Sequence, residues 1–300
     1  MNLVNTNDIY KKAMAKDYAI GGFCGYNMEM IQAIIEAAEF EKSPVLVQAS
    51  CRVIDYAGAD MIKAITEIAA KKASVPIALN LDHGDTIERC IECVDSGFTS
   101  VMLDNTGLPF DEQVRRTKTV VDYAHPRGVS VEGEICHKVE GPELYRTSVE
   151  EAVKFVELTG CDSLSICVGN AHGQAPDHEK QFDFELLENI HKAIPEIPLV
   201  LHATSIFSKA FLDKANSYNA GIAYSKNFSE ADLHATMPHG VSKINSCMDL
   251  KIATTTAIRQ YMQENPREMD PRKYFAMTRT ALIEHIRYKI RNTFRSSAQA

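Results

Sequence analysis

The chain has 300 residues, 45% of them hydrophobic and 24% charged, with a net charge of −8. That is the make-up of a soluble globular protein able to bury a large core, and no apolar stretch is long enough to span a bilayer. The acidic balance disfavours a generic nucleic-acid surface, because phosphate binding relies on clustered Lys and Arg, and leaves a local basic pocket open.

The N-terminal segment MNLVNTNDIYKKAMAKDY alternates charge with apolar residues and lacks the apolar core of a signal peptide, so it reads as the start of a cytoplasmic protein. From there, apolar runs alternate with amphipathic segments. Eight runs read as buried strands: AIGGF, PVLVQA, PIALNL, SVMLD, VSVEGEI, SLSICV, PLVLHA and VSKINS. Between them MEMIQAIIEAAEF, ADMIKAITEIAAKK, DEQVRRTKTVVDYA, SVEEAVKFVELTG and FDFELLENIHKAI carry apolar residues at helical spacing. Eight such units predict an α/β fold, a (β/α)8 TIM barrel, as one domain over residues 1–300.

About 35 residues from Ser205 to Gly240 separate the seventh strand from the eighth, well beyond an ordinary βα connection. An extra helix is expected there, with the surplus at about 208–227. A helical extension over about 271–295 closes the fold or meets another subunit. The eight cysteines are spread through strands and helices, which suits reduced, buried thiols. Cys90 and Cys93 form a C-x-x-C with no second pair, in the helical-looking ERCIECVDSG, and read as structural.

Three histidines, His83, His172 and His202, each follow a strand-like run, in PIALNLDH, SLSICVGNAH and IPLVLH. In a parallel barrel the strand ends meet at one face, and three imidazoles converging there suit a zinc ion with an open position. Asp82 stands beside His83. Asp104 in SVMLDNTG and Glu134 in VEGEI are candidates for a second cation, for the metal in another position, or for hydrogen bonds that orient the histidines. Glu132 alternates with Glu134 and needs a partner that the sequence does not name. The remaining histidines, among them His137 and His178 on loops at the same face, read as surface or core groups.

With LDHG, SVMLD, VEGE, GNAHG, LVLH and KIN in this order, the chain resembles the class II, metal-dependent ketose-bisphosphate aldolases over about residues 1–290. It looks most similar to the tagatose-bisphosphate and shorter fructose-bisphosphate aldolases. The resemblance implies a lyase that cleaves a ketose phosphate through a metal-stabilised enediolate. It assigns one Zn2+ to His83, His172 and His202, proton transfer to Asp82, and a substrate contact to Asn245. Asp104 and Glu134 fall on positions near the metal that can hold a second divalent or monovalent cation. A homodimer or homotetramer acting on a small sugar phosphate, with no nucleic-acid or membrane partner, is expected.

The chain departs from that family where the substrate is bound. The small-residue turn H-G-G-S or H-G-A-S after the last histidine reads His202, Ala203, Thr204, Ser205, where a Cβ narrows the anion's approach and restricts φ. The N-x-x-T-D end of the eighth strand reads Asn245, Ser246, Cys247, Met248, Asp249. Phe-Asn of the first strand is Phe23-Cys24, and the insertion enters beside the same cup. The family's loop acid after the fifth strand is missing from a shorter CHKVEGPELYR, leaving Glu140 and Glu143 as candidates, with His137 behind them.

Ser50, Gly173, Ala203, Ser205, Asn245 and Asp249 are therefore the expected substrate contacts. Arg52, Lys209, Lys214, Tyr218, Tyr224 and Lys226 are further candidates, although such residues are mostly exposed. Retained metal and proton-transfer residues beside an altered cup point to an aldolase whose substrate is not a standard ketose 1,6-bisphosphate. The alternatives are a catalytically weak paralogue serving as a partner or regulatory subunit and, last, a metal hydrolase on a similar barrel.

Overall fold

The computed structural model describes residues 3–135, 146–170, 181–224 and 228–300. Helix α1 (Asn7–Ala15) precedes β1 (Ile20–Cys24), and α2 (Met28–Glu41) leads to β2 (Val45–Ser50). Helices α3 (Cys51–Ala57) and α4 (Ala59–Ala70) lead to β3 (Ile77–Gly84), α5 (Ile87–Asp95) to β4 (Ser100–Leu103), and α6 (Phe110–Ala124) to β5 (Ser130–Glu134). Then α7 (Val149–Thr159) leads to β6 (Ser163–Ser165), and α8 (Phe184–Ala193) to β7 (Leu199–Leu201). Helices α9 (Lys209–Ser217) and α10 (Glu230–Thr236) precede β8 (Val241–Ser246). The chain ends with α11 (Met248–Glu264), α12 (Pro271–Tyr288) and a π-helical turn, Lys289–Thr293. All eight strands are parallel and close in chain order, β1 pairing with both β2 and β8.

Alternation along the strands decides what lies inside. Leu46, Gln48 and Ser50 of β2 stand in register with Ala78, Asn80 and Asp82 of β3. At the N-terminal end, Ile20, Leu46 and Ala78 pack against Ile9, Tyr10 and Ala13 of α1 and against Tyr18, so α1 plugs that mouth. The opposite strand faces, with Val45, Val47, Leu79, Leu81 and Val131, join the helices in the main core. Toward the C-terminal end the interior turns polar, with Gln48, Asn80, Glu132 and Lys243 all buried. Buried polar groups require partners, so this layer is where site chemistry is concentrated.

The extra helix expected after the seventh strand is α9. Ser208 caps it by accepting from Phe211 N–H, and Leu212 and Ala215 pack on Ile252 of α11. The C-terminal extension lies along α2 and α11, tied to α2 by the ion pairs Arg279–Glu36 and Arg287–Glu41. The run SLSICV forms a strand only over Ser163–Ser165, because Asn170 takes over the backbone beyond it. Its Oδ1 accepts from Val168 N–H, and its Nδ2 donates to the carbonyls of Ile166 and His202. The thiols are not all free: Cys24 and Cys247 form a disulfide, while Cys51, Cys90, Cys93, Cys161 and Cys167 are buried. Among the described residues no helix is long and apolar enough to cross a membrane.

Candidate active site and metal centre

A regular strand would send Asp82 and His83 to opposite faces. Two local features bring them together. The β3–β4 register shifts between Leu81 and Gly84, and His83 adopts a left-handed backbone with φ of 52°. Gly84 permits the tight approach, since a Cβ there would lie 2.6 Å from the carbonyl of Met102. The ligand atoms of Asp82, His83 and His202 consequently lie within 4.8 Å of one another, and those of His83, Asp104 and Glu134 form an overlapping group. The His83 and His202 rings meet edge to face at 4.7 Å.

Each group is oriented from behind. Asp82 is buried, and its Oδ1 accepts from Gln48 Nε2 at 3.0 Å and from Asn245 Nδ2 at 2.9 Å. His83 Nδ1 meets Asp104 Oδ2 at 3.0 Å, and Asp104 also accepts from Thr106 N–H. His202 Nε2 meets Glu132 Oε1 at 2.9 Å, while its Nδ1 lies 3.8 Å from Glu134. Glu132 is in turn held by Lys243 Nζ at 2.6 Å, with both side chains fully buried. Lys243 and His202 are thus the partners of Glu132 that the sequence did not reveal.

Charge follows from this crowding. Burial draws the His83 imidazolium down, but Asp82, Asp104 and Glu134 outweigh it and push its pKa up to about 10. Burial lowers the His202 pKa, the hydrogen bond to Glu132 opposing only part of that. Burial raises Glu132, yet Lys243 and His202 bring it down to about 2. Four carboxylates, Asp82, Asp104, Glu132 and Glu134, therefore converge near the buried Lys243 ammonium, the one that pairs with any of them among the described residues. Such an excess of negative charge beside two imidazoles is the donor set and field that a divalent cation of the zinc type fits.

Ser50 ends β2 beside Asp82 and is half-buried, whereas Arg52 on α3 is exposed. Ala203 has a left-handed φ of 55°, Thr204 Oγ1 is buried without a hydrogen-bond partner among the described residues, and Ser205 is half-buried. Asn245, expected to contact the substrate, binds Asp82 through its amide, and its Oδ1 is buried without a partner among the described residues. Asp249, also expected to contact the substrate, is fully buried, accepting from Ser246 Oγ at 2.6 Å and pairing with His285 of α12 at 3.0 Å and Lys289 at 3.6 Å. Lys209, Lys214 and Tyr224 are exposed and Tyr218 is half-buried, with Lys209 paired to Asp213. His172, Gly173, Glu140, Glu143, His137, His178 and Lys226 lie outside the described residues. Cys90 and Cys93 are buried on α5, where burial pushes the Cys93 thiol up to about 12.

Gln48 was missed because it interrupts an apolar run, although its two-residue alternation with Leu46 and Ser50 places it on the face of Asp82. The Cys24–Cys247 pair spans 223 residues and left no local signal.

The model of the family "Fructose-bisphosphate aldolase class-II" matches residues 4–299. The fructose-bisphosphate aldolase of Treponema pallidum is 34% identical, with 100% of this chain and 98% of that protein covered. That of Giardia intestinalis is 38% identical over 97% of this chain and 93% of its own length. Among solved structures, the YdjI aldolase from Escherichia coli K12 superposes with a TM-score of 0.79 at 30% identity, covering 99% of each chain. The fructose-bisphosphate aldolase of Campylobacter jejuni, at 20% identity and a TM-score of 0.82, shares the barrel fold over 100% of this chain and 97% of that one. With a metal-type donor set at the C-terminal mouth of the barrel and a family match along nearly its whole length, the chain belongs to the class-II fructose-bisphosphate aldolases, enzymes of metal-dependent aldol cleavage.

Proposed function

We propose that this aldolase is a zinc enzyme whose metal is held by His83, His172 and His202, with Asp82 as the group that exchanges the substrate's proton. The observation that carries the reading is the convergence of Asp82, His83 and His202 within 4.8 Å at the mouth of the barrel. When bound, the metal supplies a Lewis acid for the negative charge that develops on the ketose half. Asp82 removes the proton from the hydroxyl next to the bond being broken. The oxygen so released becomes the aldehyde carbonyl, and the electron pair of the carbon–carbon bond passes to the ketose half, which takes a proton from Glu140 or Glu143.

Gln48 and Asn245 fix Asp82 through Oδ1 and leave Oδ2 for the substrate. Asp104 and Glu132 orient His83 and His202, and Asp104 and Glu134 together offer a place for a second cation. Ser50 and the Ala203–Ser205 turn are the proposed contacts to the sugar, with Gly173 assigned to the same role from its motif, and the buried Thr204 hydroxyl adds a hydrogen-bonding group at the turn. Asp249 supports this wall from behind rather than touching the sugar.

The altered turn favours a ketose phosphate other than a standard 1,6-bisphosphate, handled by a cytoplasmic homodimer or homotetramer. Exposed Phe40 on α2, with Met61 and Ile68 on α4, support a subunit interface on that side. The test is to load the protein with zinc, offer ketose mono- and bisphosphates, and follow aldehyde release with and without chelator. Loss of turnover with chelator and its return with zinc is expected. Chelator-insensitive turnover, or unchanged activity in His172→Ala, would refute the zinc assignment, and a preference for fructose or tagatose bisphosphate would refute the altered specificity.

A further inference from the structure

The disulfide joins two strand ends at the mouth of the barrel. Cys24 closes β1 and is buried; Cys247 follows β8 at the start of α11 and is half-buried, with the exposed Met248 after it. Their Cα atoms are 5.0 Å apart, a spacing that a disulfide spans without backbone movement. Both sulfurs face one carboxylate oxygen: Asp82 Oδ2 lies 3.8 Å from Cys24 Sγ and 4.0 Å from Cys247 Sγ. The other oxygen, Oδ1, is taken by Gln48 and Asn245. The two sulfurs therefore border the oxygen that the proposed mechanism leaves for the substrate. Cys90, Cys93 and Cys161 are packed into the core by contrast, with thiols pushed up by burial.

We infer that Cys24 and Cys247 form a reversible oxidation site for hydroperoxides, and that the bond between them slows aldol cleavage. Cys247, the more exposed of the two, attacks the peroxide: its sulfur–oxygen bond forms, the oxygen–oxygen bond breaks, and an alcohol, or water from hydrogen peroxide, leaves. Cys24 then attacks that sulfur, the sulfur–sulfur bond forms and water leaves. Two thiols are oxidised, one hydroperoxide is reduced, and the two thiol protons end in the alcohol and the water. A dithiol reductant reverses the change by exchange.

The reduced pair offers two S–H donors beside Oδ2, whereas the disulfide offers none and ties β1 to β8 at the rim. Losing donors that orient the carboxylate is expected to lower turnover about fivefold, the effect of one modest hydrogen bond. This consequence rests on the role proposed for Asp82; the oxidation itself does not.

The experiment uses the metal-loaded full chain, reduced with dithiothreitol, desalted and split between buffer and hydrogen peroxide. Thiol alkylation with peptide mass mapping reads the bond, an aldehyde-release assay reads turnover, and metal analysis reads the zinc. The expected result is a linked pair of peptides carrying Cys24 and Cys247, turnover about fivefold lower, unchanged metal content, and recovery of both readouts with dithiothreitol. Cys24→Ser and Cys247→Ser should each lose the peroxide response relative to their own untreated rates. If Cys24 and Cys247 stay alkylatable while other thiols oxidise, the site is refuted. A bond that forms without slowing turnover, or equal inactivation in both serine variants, refutes its effect on catalysis. The wild-type map decides the first point even if a variant does not fold.

Discussion

Replacing Lys243 by Met removes the ammonium that faces Glu132 in the barrel's polar layer, at nearly constant volume. In the wild type Lys243 Nζ lies 2.6 Å from Glu132 Oε2, and both side chains are within 1% of complete burial. Glu132 keeps one further partner, His202 Nε2 at 2.9 Å. Breaking a buried pair from one side leaves an uncompensated charge, which costs about 3–5 kcal/mol. For a chain of this length that corresponds to a fall of about 5–8 °C in Tm, taking an unfolding entropy of about 2.1 cal/mol/K per residue.

The double variant Lys243→Met with Glu132→Gln has no stranded charge and should regain most of that loss. It still lacks the carboxylate behind His202, so its zinc affinity should remain about 10- to 100-fold below wild type. Thermal melts of the metal-free proteins and competition with a chromogenic chelator read the two effects separately. A single variant within about 1 kcal/mol of wild type, or a double variant no more stable than the single one, would refute the view of this pair as a coupled unit.

Three further outcomes are expected. Ala203→Gly relieves a left-handed alanine at φ of 55° and should stabilise the chain by about 1 kcal/mol while tightening inorganic phosphate binding; a loss of stability would show that the Cβ makes needed contacts. Burial raises the Asp249 pKa, but Lys289, His285 and Ser246 outweigh it and hold the carboxyl well below the usual carboxylate range. A depressed folded pKa gives stability that is present above the unfolded value, about 4, and is lost as pH falls below it, so Asp249→Asn should be less stable at pH 7 with a shallower acid loss in urea melts. An equally steep acid loss in the variant would contradict this. Cys90→Ala with Cys93→Ala should leave zinc content unchanged, as measured by metal analysis, because both thiols lie in the core; a drop would contradict the structural reading of that pair.

The strands were legible because most are largely apolar runs buried on both faces, and the long helices because their apolar residues recur every three or four positions. Helix α11 escaped notice since it begins just after β8 and carries Thr254, Thr255 and Thr256 where an apolar stripe would announce it. Helix α1 was read only for its lack of a signal core, yet Ile9, Tyr10 and Ala13 are the stripe that plugs the barrel. At the site, His83 and His202 followed from their places at strand ends. What brings His83 to the side of Asp82 is a register shift and a left-handed residue, and neither leaves a mark in composition. Lys243 and Gln48 read as faults in apolar runs, and their partners lie on other strands. Asp249 matched a motif position by letter, while its carboxylate was claimed by His285 and Lys289 from a helix that the motif does not include.

The most direct test of the account is Asp82→Asn, a change that keeps the shape of the side chain and removes its capacity to take a proton. Metal content and aldehyde release are measured on the same zinc-loaded sample. The account predicts that the variant retains zinc at the wild-type level while turnover falls by about 10²- to 10⁴-fold, the usual contribution of general acid–base catalysis. Turnover near wild type, with zinc still bound, would contradict the assignment of Asp82 at the centre of the mechanism.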